Sequence, residues 1–188
     1  PVREDLFHRQ GQLLAEKLAA LEPQRPGTED LYFLGVAPYA QQDTFMKELG
    51  SVRRLMESRF DLAGRALSLV NHGSTLAREP IASVTQLRAA LDGMAKVMDV
   101  NEDVLFLFLT THGTDRHELE FSLPPLELSQ LNPTMLARML ADSGIRWKVI
   151  VISACYSGGF IEPLRDENTL IITSANATQP SFGCEVDS

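Results

Sequence analysis

Val104-Leu105-Phe106-Leu107-Phe108-Leu109-Thr110-Thr111 runs without a charge into His112-Gly113. A second apolar run, Lys148-Val149-Ile150-Val151-Ile152-Ser153-Ala154, leads into Cys155-Tyr156-Ser157-Gly158-Gly159. Stretches this rich in Val, Ile, Leu and Phe read as strands buried on both faces, as in parallel sheets. In open α/β sheets ligands bind beyond the carboxyl ends of the strands, and here those ends carry an imidazole and a thiol. A thiol beside an imidazole is a nucleophile–base pair.

Outward from these two runs, strands and helices alternate. Leu31 to Val36 reads as a first strand, followed by a loop at Ala37-Pro38-Tyr39 and a helix over about 41–59 that carries Phe45, Leu49, Val52, Leu55 and Met56 on one face. Arg65 to Val70 reads as the second strand and 83–98 as a helix, ahead of the third strand at 104–111. Charged residues 114–118 lead into Leu119–Leu123, read as a small hairpin arm, and a helix over roughly 128–143 ends at Gly144. The fourth strand is 148–154, a short helix opens at Cys155, and Leu170–Ser174 is a fifth strand. Such alternation implies right-handed crossovers and a mainly parallel sheet covered on both faces, a three-layer α/β/α sandwich. Ahead of it, residues 4–21 space Leu6, Phe7, Leu13, Leu14, Leu18 and Leu21 as an amphipathic helix, and Pro23, Pro26 and Gly27 mark 22–29 as a linker. The expected division is therefore 1–29, helix and linker, and 30–188, one α/β domain.

The chain of 188 residues, 44% apolar and 22% charged, has the balance of an ordinary globular protein. Its net charge of −8, with no basic cluster, argues against nucleic acid or an anionic membrane as partner. No run approaches the roughly 18 apolar residues of a membrane span. No signal peptide is visible, and the chain opens abruptly at Pro1 as an excerpt would, leaving room for a signal or anchor outside it. Two cysteines make no disulfide framework. Pairing of Cys155 with Cys184 would silence a nucleophile, and both are expected as free thiols.

Cys155, opening a helix, would gain thiolate character from the unpaired N–H groups and partial positive charge of a helix N-terminus. His112 would take the thiol proton and return it to a leaving amine. Gly113 would turn its N–H into the cleft and, with the N–H of Cys155, hold a tetrahedral oxyanion. Gly158 and Gly159 would let a substrate backbone approach closely. His72, in Asn71-His72-Gly73 at another strand end, copies the His112 pattern. In a 2-1-3-4 sheet it lies three strands from Cys155, about 14 Å at about 4.8 Å per strand, and reads as a loop histidine. His117 lies in a polar stretch and reads as solvated.

Other chemistries fit less well. A Cys-x5-Arg phosphatase needs arginine where Ile161 stands, and Ser153 and Ser157 occupy the glycine positions of a hydrolase elbow. No phosphate- or dinucleotide-binding glycine pattern occurs. His112, His117, Cys155 and Cys184 lack the close paired spacing of a zinc site, and no metal or other cofactor is expected.

A strand ending in His-Gly, a helix, and a strand ending in Ala-Cys-x-Ser-Gly resemble the caspase–legumain superfamily of cysteine peptidases, and most of all the legumain family and its bacterial relatives. Thr111-His112-Gly113-Thr114 is similar to the histidine motif and Ser153-Ala154-Cys155-Tyr156-Ser157-Gly158 to the cysteine motif. Thr173-Ser174-Ala175-Asn176, running on to Ser181-Phe182-Gly183-Cys184, is similar to the segment bordering the legumain cleft. The resemblance spans about 31–188 and implies a caspase-like fold with strand order 2-1-3-4-5, to which the family adds a sixth strand beyond this chain. It implies Cys155 as nucleophile, His112 as acid–base, Gly113 as oxyanion donor, and Tyr156 and Ser181 as substrate-binding residues. The implied activity is that of a cysteine endopeptidase acting through a thioester acyl-enzyme on a peptide or protein substrate. Transamidation, or an inactive caspase-like module that binds a partner, are the alternatives. Bacterial relatives are often membrane-tethered or extracytoplasmic, with any tether outside this segment, so the resemblance leaves localisation and oligomeric state open. The chain departs from the family at the substrate pocket. Legumain-type asparagine specificity uses an arginine shortly after the first strand and an acidic residue after the cysteine, where this sequence has Gln41 or Gln42, and Tyr156.

Overall fold

The computed structural model describes residues 4–181. Five parallel strands, β1 (Leu31–Ala37), β2 (Ala66–Val70), β3 (Val104–Thr110), β4 (Trp147–Ser153) and β5 (Thr169–Thr173), form one sheet in the order β2-β1-β3-β4-β5. This is the order expected from the sequence. The central strands are apolar along both faces because both faces are covered: Tyr32, Leu34 and Val36 of β1 face one layer, Phe33 and Ala37 the other.

The larger core lies beneath α4 (Val84–Val97) and α5 (Pro133–Ser143). Leu87, Ala90, Leu91 and Met94 fall on one stripe of α4 and are buried, as helical spacing requires. The ends of these helices are set by local chemistry. Ser83 caps α4 by accepting from the Gln86 N–H at 3.1 Å, and Asn132 caps α5 by accepting from Met135 at 2.9 Å, with Pro133 in the first turn. Gly144 closes α5 with φ 72°, a left-handed conformation that glycine adopts without strain. The expected helix at 128–143 is thus shorter, because Pro133 and its cap set the start.

The opposite face is covered by α3 (Asp43–Arg59), whose Leu49 and Met56 pack on Phe33, Val70 and Phe108, while Leu55 turns out to solvent. Phe33 and Phe106 stack at 5.9 Å across β1 and β3. Burial of each such side chain contributes about 2–3 kcal/mol. α3 reaches only part of the sheet, and Leu170 and Ile172 of β5 are exposed.

The single N-terminal helix expected over 4–21 is two segments, α1 (Glu4–His8) and α2 (Gln10–Ala19), divided at Arg9. Gln10 anchors α2: its amide donates to Leu76 O at 3.1 Å and accepts from Ile81 N–H at 2.9 Å. Leu14 and Leu21 enter the larger core. The hairpin arm expected at Leu119–Leu123 is a run of isolated bridges, in which Leu119 pairs with both Gly113 and Leu131. No helix among the described residues is long and apolar enough to cross a membrane.

Candidate active site

β3 and β4 pair in register to their last residues, Thr110 opposite Ser153. The chain therefore leaves both strands side by side at the same edge of the sheet, carrying Thr111-His112-Gly113 beside Ala154-Cys155. The Thr111 N–H donates to Ser153 O at 3.2 Å, continuing the ladder one step into the loops. Beyond it the two loops touch. A Cβ placed on Gly113 would lie 2.0 Å from the carbonyl oxygen of Cys155, so only a residue without a side chain fits. The histidine loop is held from behind as well: Thr111 Oγ1 donates to Glu120 O at 2.7 Å, and Glu120 N–H donates to His112 O at 2.9 Å.

The His112 ring stands between two aromatic rings. Tyr39 and Phe45 meet it edge to face, with centroids at 4.7 and 4.9 Å. Its Nε2 lies 2.9 Å from Gln42 Oε1. An amide oxygen only accepts, so Nε2 is the donor in this contact, and in that tautomer Nδ1 carries the lone pair.

Cys155 is buried, and the Ser181 N–H lies 3.3 Å from its sulfur. It is a half-cystine in this structure and no cysteine among the described residues is a free thiol, which corrects the expectation for Cys155. Cys184, like Phe182 and Gly183, lies outside the described residues. The expectation that Cys155 opens a helix is corrected too. Tyr156 takes a left-handed conformation with φ 56°, and a single 3-10 turn at Ser157–Phe160 and the short α6 (Ile161–Leu164) begin only after it. Four-residue turns offer little dipole, so the helix argument for an acidic thiol falls away.

Gly158 and Gly159 do not lie open to a substrate. The space beside Gly158 is taken by the backbone of Asn176 and Ala177, and that beside Gly159 by the His117 ring, 2.2 Å from an ideal Cβ. His117 is therefore half-buried rather than solvated. With φ 59° it points its Nε2–H at Ala177 O, 2.9 Å away. The segment after β5 is laced to the cysteine turn throughout: Ala154 N–H donates to Ser174 Oγ at 3.0 Å, Ala175 N–H to Ser157 Oγ at 3.2 Å, and Tyr156 N–H to Gln179 O at 3.2 Å. Tyr156 and Ser181 thus flank Cys155 from its own turn and from this segment.

His72 lies in the loop after β2, with β1 and β3 between it and β4. Its Nε2 meets Asp43 at 3.0 Å and its Nδ1 meets Ser74 Oγ at 2.7 Å. Hydrogen bonds from Lys47 and then His72 hold the Asp43 carboxyl below the usual carboxylate range. No group of three His, Cys, Asp or Glu residues able to hold a metal ion occurs among the described residues.

Beside His112 a cavity of about 260 Å³ opens between α3 and the strand ends, lined by Thr44, Phe45, Glu48, Thr111, Ser153, Ala154 and Ser181. Glu48 accepts hydrogen bonds from Thr110 Oγ1 and, at 3.0 Å, from Ser153 Oγ. A neighbouring cavity of about 350 Å³ is lined by Tyr39, Gln41, Glu118 and Glu120 among others. Tyr39, Phe45 and Glu48 were not singled out from sequence as site residues. In the sequence Phe45 has the spacing of a core residue, Glu48 is not on the apolar face of its helix, and Tyr39 stands in the loop after the first strand with no role assigned. Only the placement of the loop after β1 near the site, at Gln41 or Gln42, gave a signal.

Residues 74–188 match the model of the Peptidase C13 family. Among solved structures, the crystal structure of caspase-1 from Spodoptera frugiperda matches over 86% of this chain and 71% of its own, with a TM-score of 0.52 and 14% identity, a likeness of fold alone. No curated protein sequence matches the chain.

Proposed function

The chain belongs to the Peptidase C13 family, and on that premise we propose that it is a cysteine-type endopeptidase working through a Cys155–His112 dyad. Membership implies peptide or protein substrates. In this reading residues 30–188 make up the peptidase domain and 1–29 precede it. The observation that carries the reading is the backbone contact of Gly113 with Cys155, which sets the histidine and cysteine loops against one another at the ends of paired strands.

The chemistry begins from the reduced thiol. His112 Nδ1 takes the proton from Cys155 Sγ, and the sulfur adds to the scissile carbonyl carbon. The negative charge passes to the carbonyl oxygen, where the N–H groups of Gly113 and Cys155 receive it. The tetrahedral intermediate collapses with cleavage of the C–N bond, and the imidazolium protonates the departing amine. The acyl group remains on sulfur as a thioester. Water, giving its proton to His112, then adds to the thioester carbonyl, and loss of thiolate releases the new carboxylate. Gln42 holds the imidazole in the tautomer the first step needs, and Tyr39 and Phe45 fix its plane. Tyr156 and Ser181 border the substrate backbone. Passage of the acyl group to an amine instead of water would make the same site a transamidase.

The test is the rate of iodoacetamide alkylation at Cys155 against pH in the reduced chain, read by mass spectrometry with Cys184 as internal reference, alongside His112→Ala. Rapid labelling below pH 7 that slows in His112→Ala is expected. Labelling no faster than Cys184 and indifferent to His112 would overturn the dyad in favour of an inactive caspase-like module.

A further inference from the structure

We propose, resting on the peptidase reading above, that Glu48 makes the cavity beside His112 a specificity pocket for a basic side chain, lysine or arginine, at the residue whose carbonyl is attacked. The cavity begins at the proposed acid–base and at Ala154, next to the nucleophile, so a side chain entering it belongs to the residue being cut. Its volume of about 260 Å³ lies below the 300 Å³ or so at which small-molecule pockets start and suits one long side chain. Thr44, Phe45, Thr111 and Ser153 supply uncharged walls, and Glu48 is the carboxylate among them.

The carboxylate is oriented. Thr110 and Ser153, partners across β3 and β4, each donate a hydroxyl hydrogen bond to a different oxygen of Glu48. A carboxylate accepts about four hydrogen bonds, so each oxygen retains capacity for an ammonium or guanidinium donor. Among the described residues no lysine, arginine or histidine forms a salt bridge with Glu48, although exposed pairs form elsewhere on the same helix, Lys47 with Asp43 and Arg53 with Glu57. A half-buried carboxylate without a cation is what an incoming cation completes, and it repels an aspartate. The adjoining cavity carries Glu118 and Glu120, and the whole chain bears a net charge of −8, so the field around the cleft draws basic segments inward. Among the described residues the cavity is lined by no arginine that an acidic or amide side chain would seek, and its carboxylate comes from α3.

The experiment is turnover by the reduced full chain of fluorogenic peptides that differ only at the residue before the scissile bond: Lys, Arg, Asn, Asp and norleucine. Lys or Arg is expected to exceed Asn and Asp in kcat/KM by about a hundredfold or more, a size set by desolvated charge pairing. Glu48→Gln, which keeps the shape, is expected to reduce the Lys-to-norleucine ratio about thirtyfold or more. The ranking on the unaltered chain needs no variant to fold. Preference for Asn or Asp, or an equal loss across all five substrates in Glu48→Gln, would overturn the inference while leaving the peptidase reading intact. Turnover of none of the five would overturn both.

Discussion

Gly113 and Cys155 are in backbone contact: the space a side chain would need at Gly113 is occupied by the Cys155 carbonyl oxygen, 2.0 Å from an ideal Cβ. The Cβ is fixed by the backbone and its neighbour is main chain, so the clash can be relieved only by parting the two loops. Gly113→Ala is expected to lower kcat/KM by about a hundredfold, since a displacement near 1 Å at a reacting centre has that effect. Peptide turnover checks this, with circular dichroism to verify the fold. Activity within threefold of the parent would show that the contact does not set the site.

Gln42 accepts from His112 Nε2 and, in the proposed dyad, would position the imidazole. Gln42→Ala is expected to reduce kcat about tenfold with KM little changed. Gln42→Glu sets a carboxylate beside the imidazole, which favours its charged form and raises its pKa. The acidic limb of the kcat/KM profile should then move to higher pH. An unmoved limb would remove Gln42 from contact with the acid–base.

Cys155 is a half-cystine here, so its labelling should depend on prior reduction. Without reductant, iodoacetamide is expected to leave Cys155 unmodified and peptide turnover to be absent. With dithiothreitol both should appear together. Equal labelling with and without reductant would count against the oxidised form as a latent one.

At the opposite edge of the sheet, Asp30 is buried and bonded to Arg25 through side chain and backbone at 2.5–2.8 Å, with Arg65 3.6 Å away. Burial pushes its carboxyl up, but the Arg25 hydrogen bonds and the Arg65 charge outweigh burial and hold it below the usual range. A carboxyl depressed in the folded state contributes stability above its unfolded pKa of about 3.9, and loses that contribution as pH falls through the lower folded value. Asp30→Asn should therefore cost about 2–3 kcal/mol near neutral pH, with the gap narrowing below pH 4. Urea unfolding at the two pH values measures it, and a constant gap would show that the charge is not responsible.

Asn71 ends β2 with its amide donating to Pro38 O at 2.9 Å and Ala82 O at 2.8 Å, and accepting from Ala82 N–H at 2.8 Å. Asn71→Ala strands buried backbone groups and is expected to cost about 3 kcal/mol, or roughly 6–12 °C in Tm. Because Pro38 precedes Tyr39, the loop that leans on His112 should loosen, and thermal scans with turnover at moderate temperature would separate the two effects.

The strands were legible because each is apolar over its length, and their order because the two strand-end motifs, His112-Gly113 and Ala154-Cys155, resemble those of a family that has it. His112, Gly113 and Cys155 stood out for the same reason, as chemistry-bearing residues at strand ends. The turn after the cysteine is not the helix opening at Cys155 that was expected. Tyr156 turns left-handed directly after Cys155, and the Gly158-Gly159 pair, a weak helix former, follows in a single 3-10 turn. Glu48 and His117 were illegible for a different reason. Their roles depend on partners 105 and 60 residues away, Ser153 and Ala177, and no local pattern encodes such distances.

The stitching of residues 174–179 onto the cysteine turn has an evolutionary corollary. Ser174, Ala175 and Gln179 hold Ala154, Ser157 and Tyr156 in place, and Ser181, further along the same segment, lines the cavity beside His112. A change in this segment that reshapes the cavity therefore also shifts the turn that carries Cys155. On the proposed reading, what the cleft accepts and how fast it reacts would be one inherited trait, and variants selected for one would drift in the other.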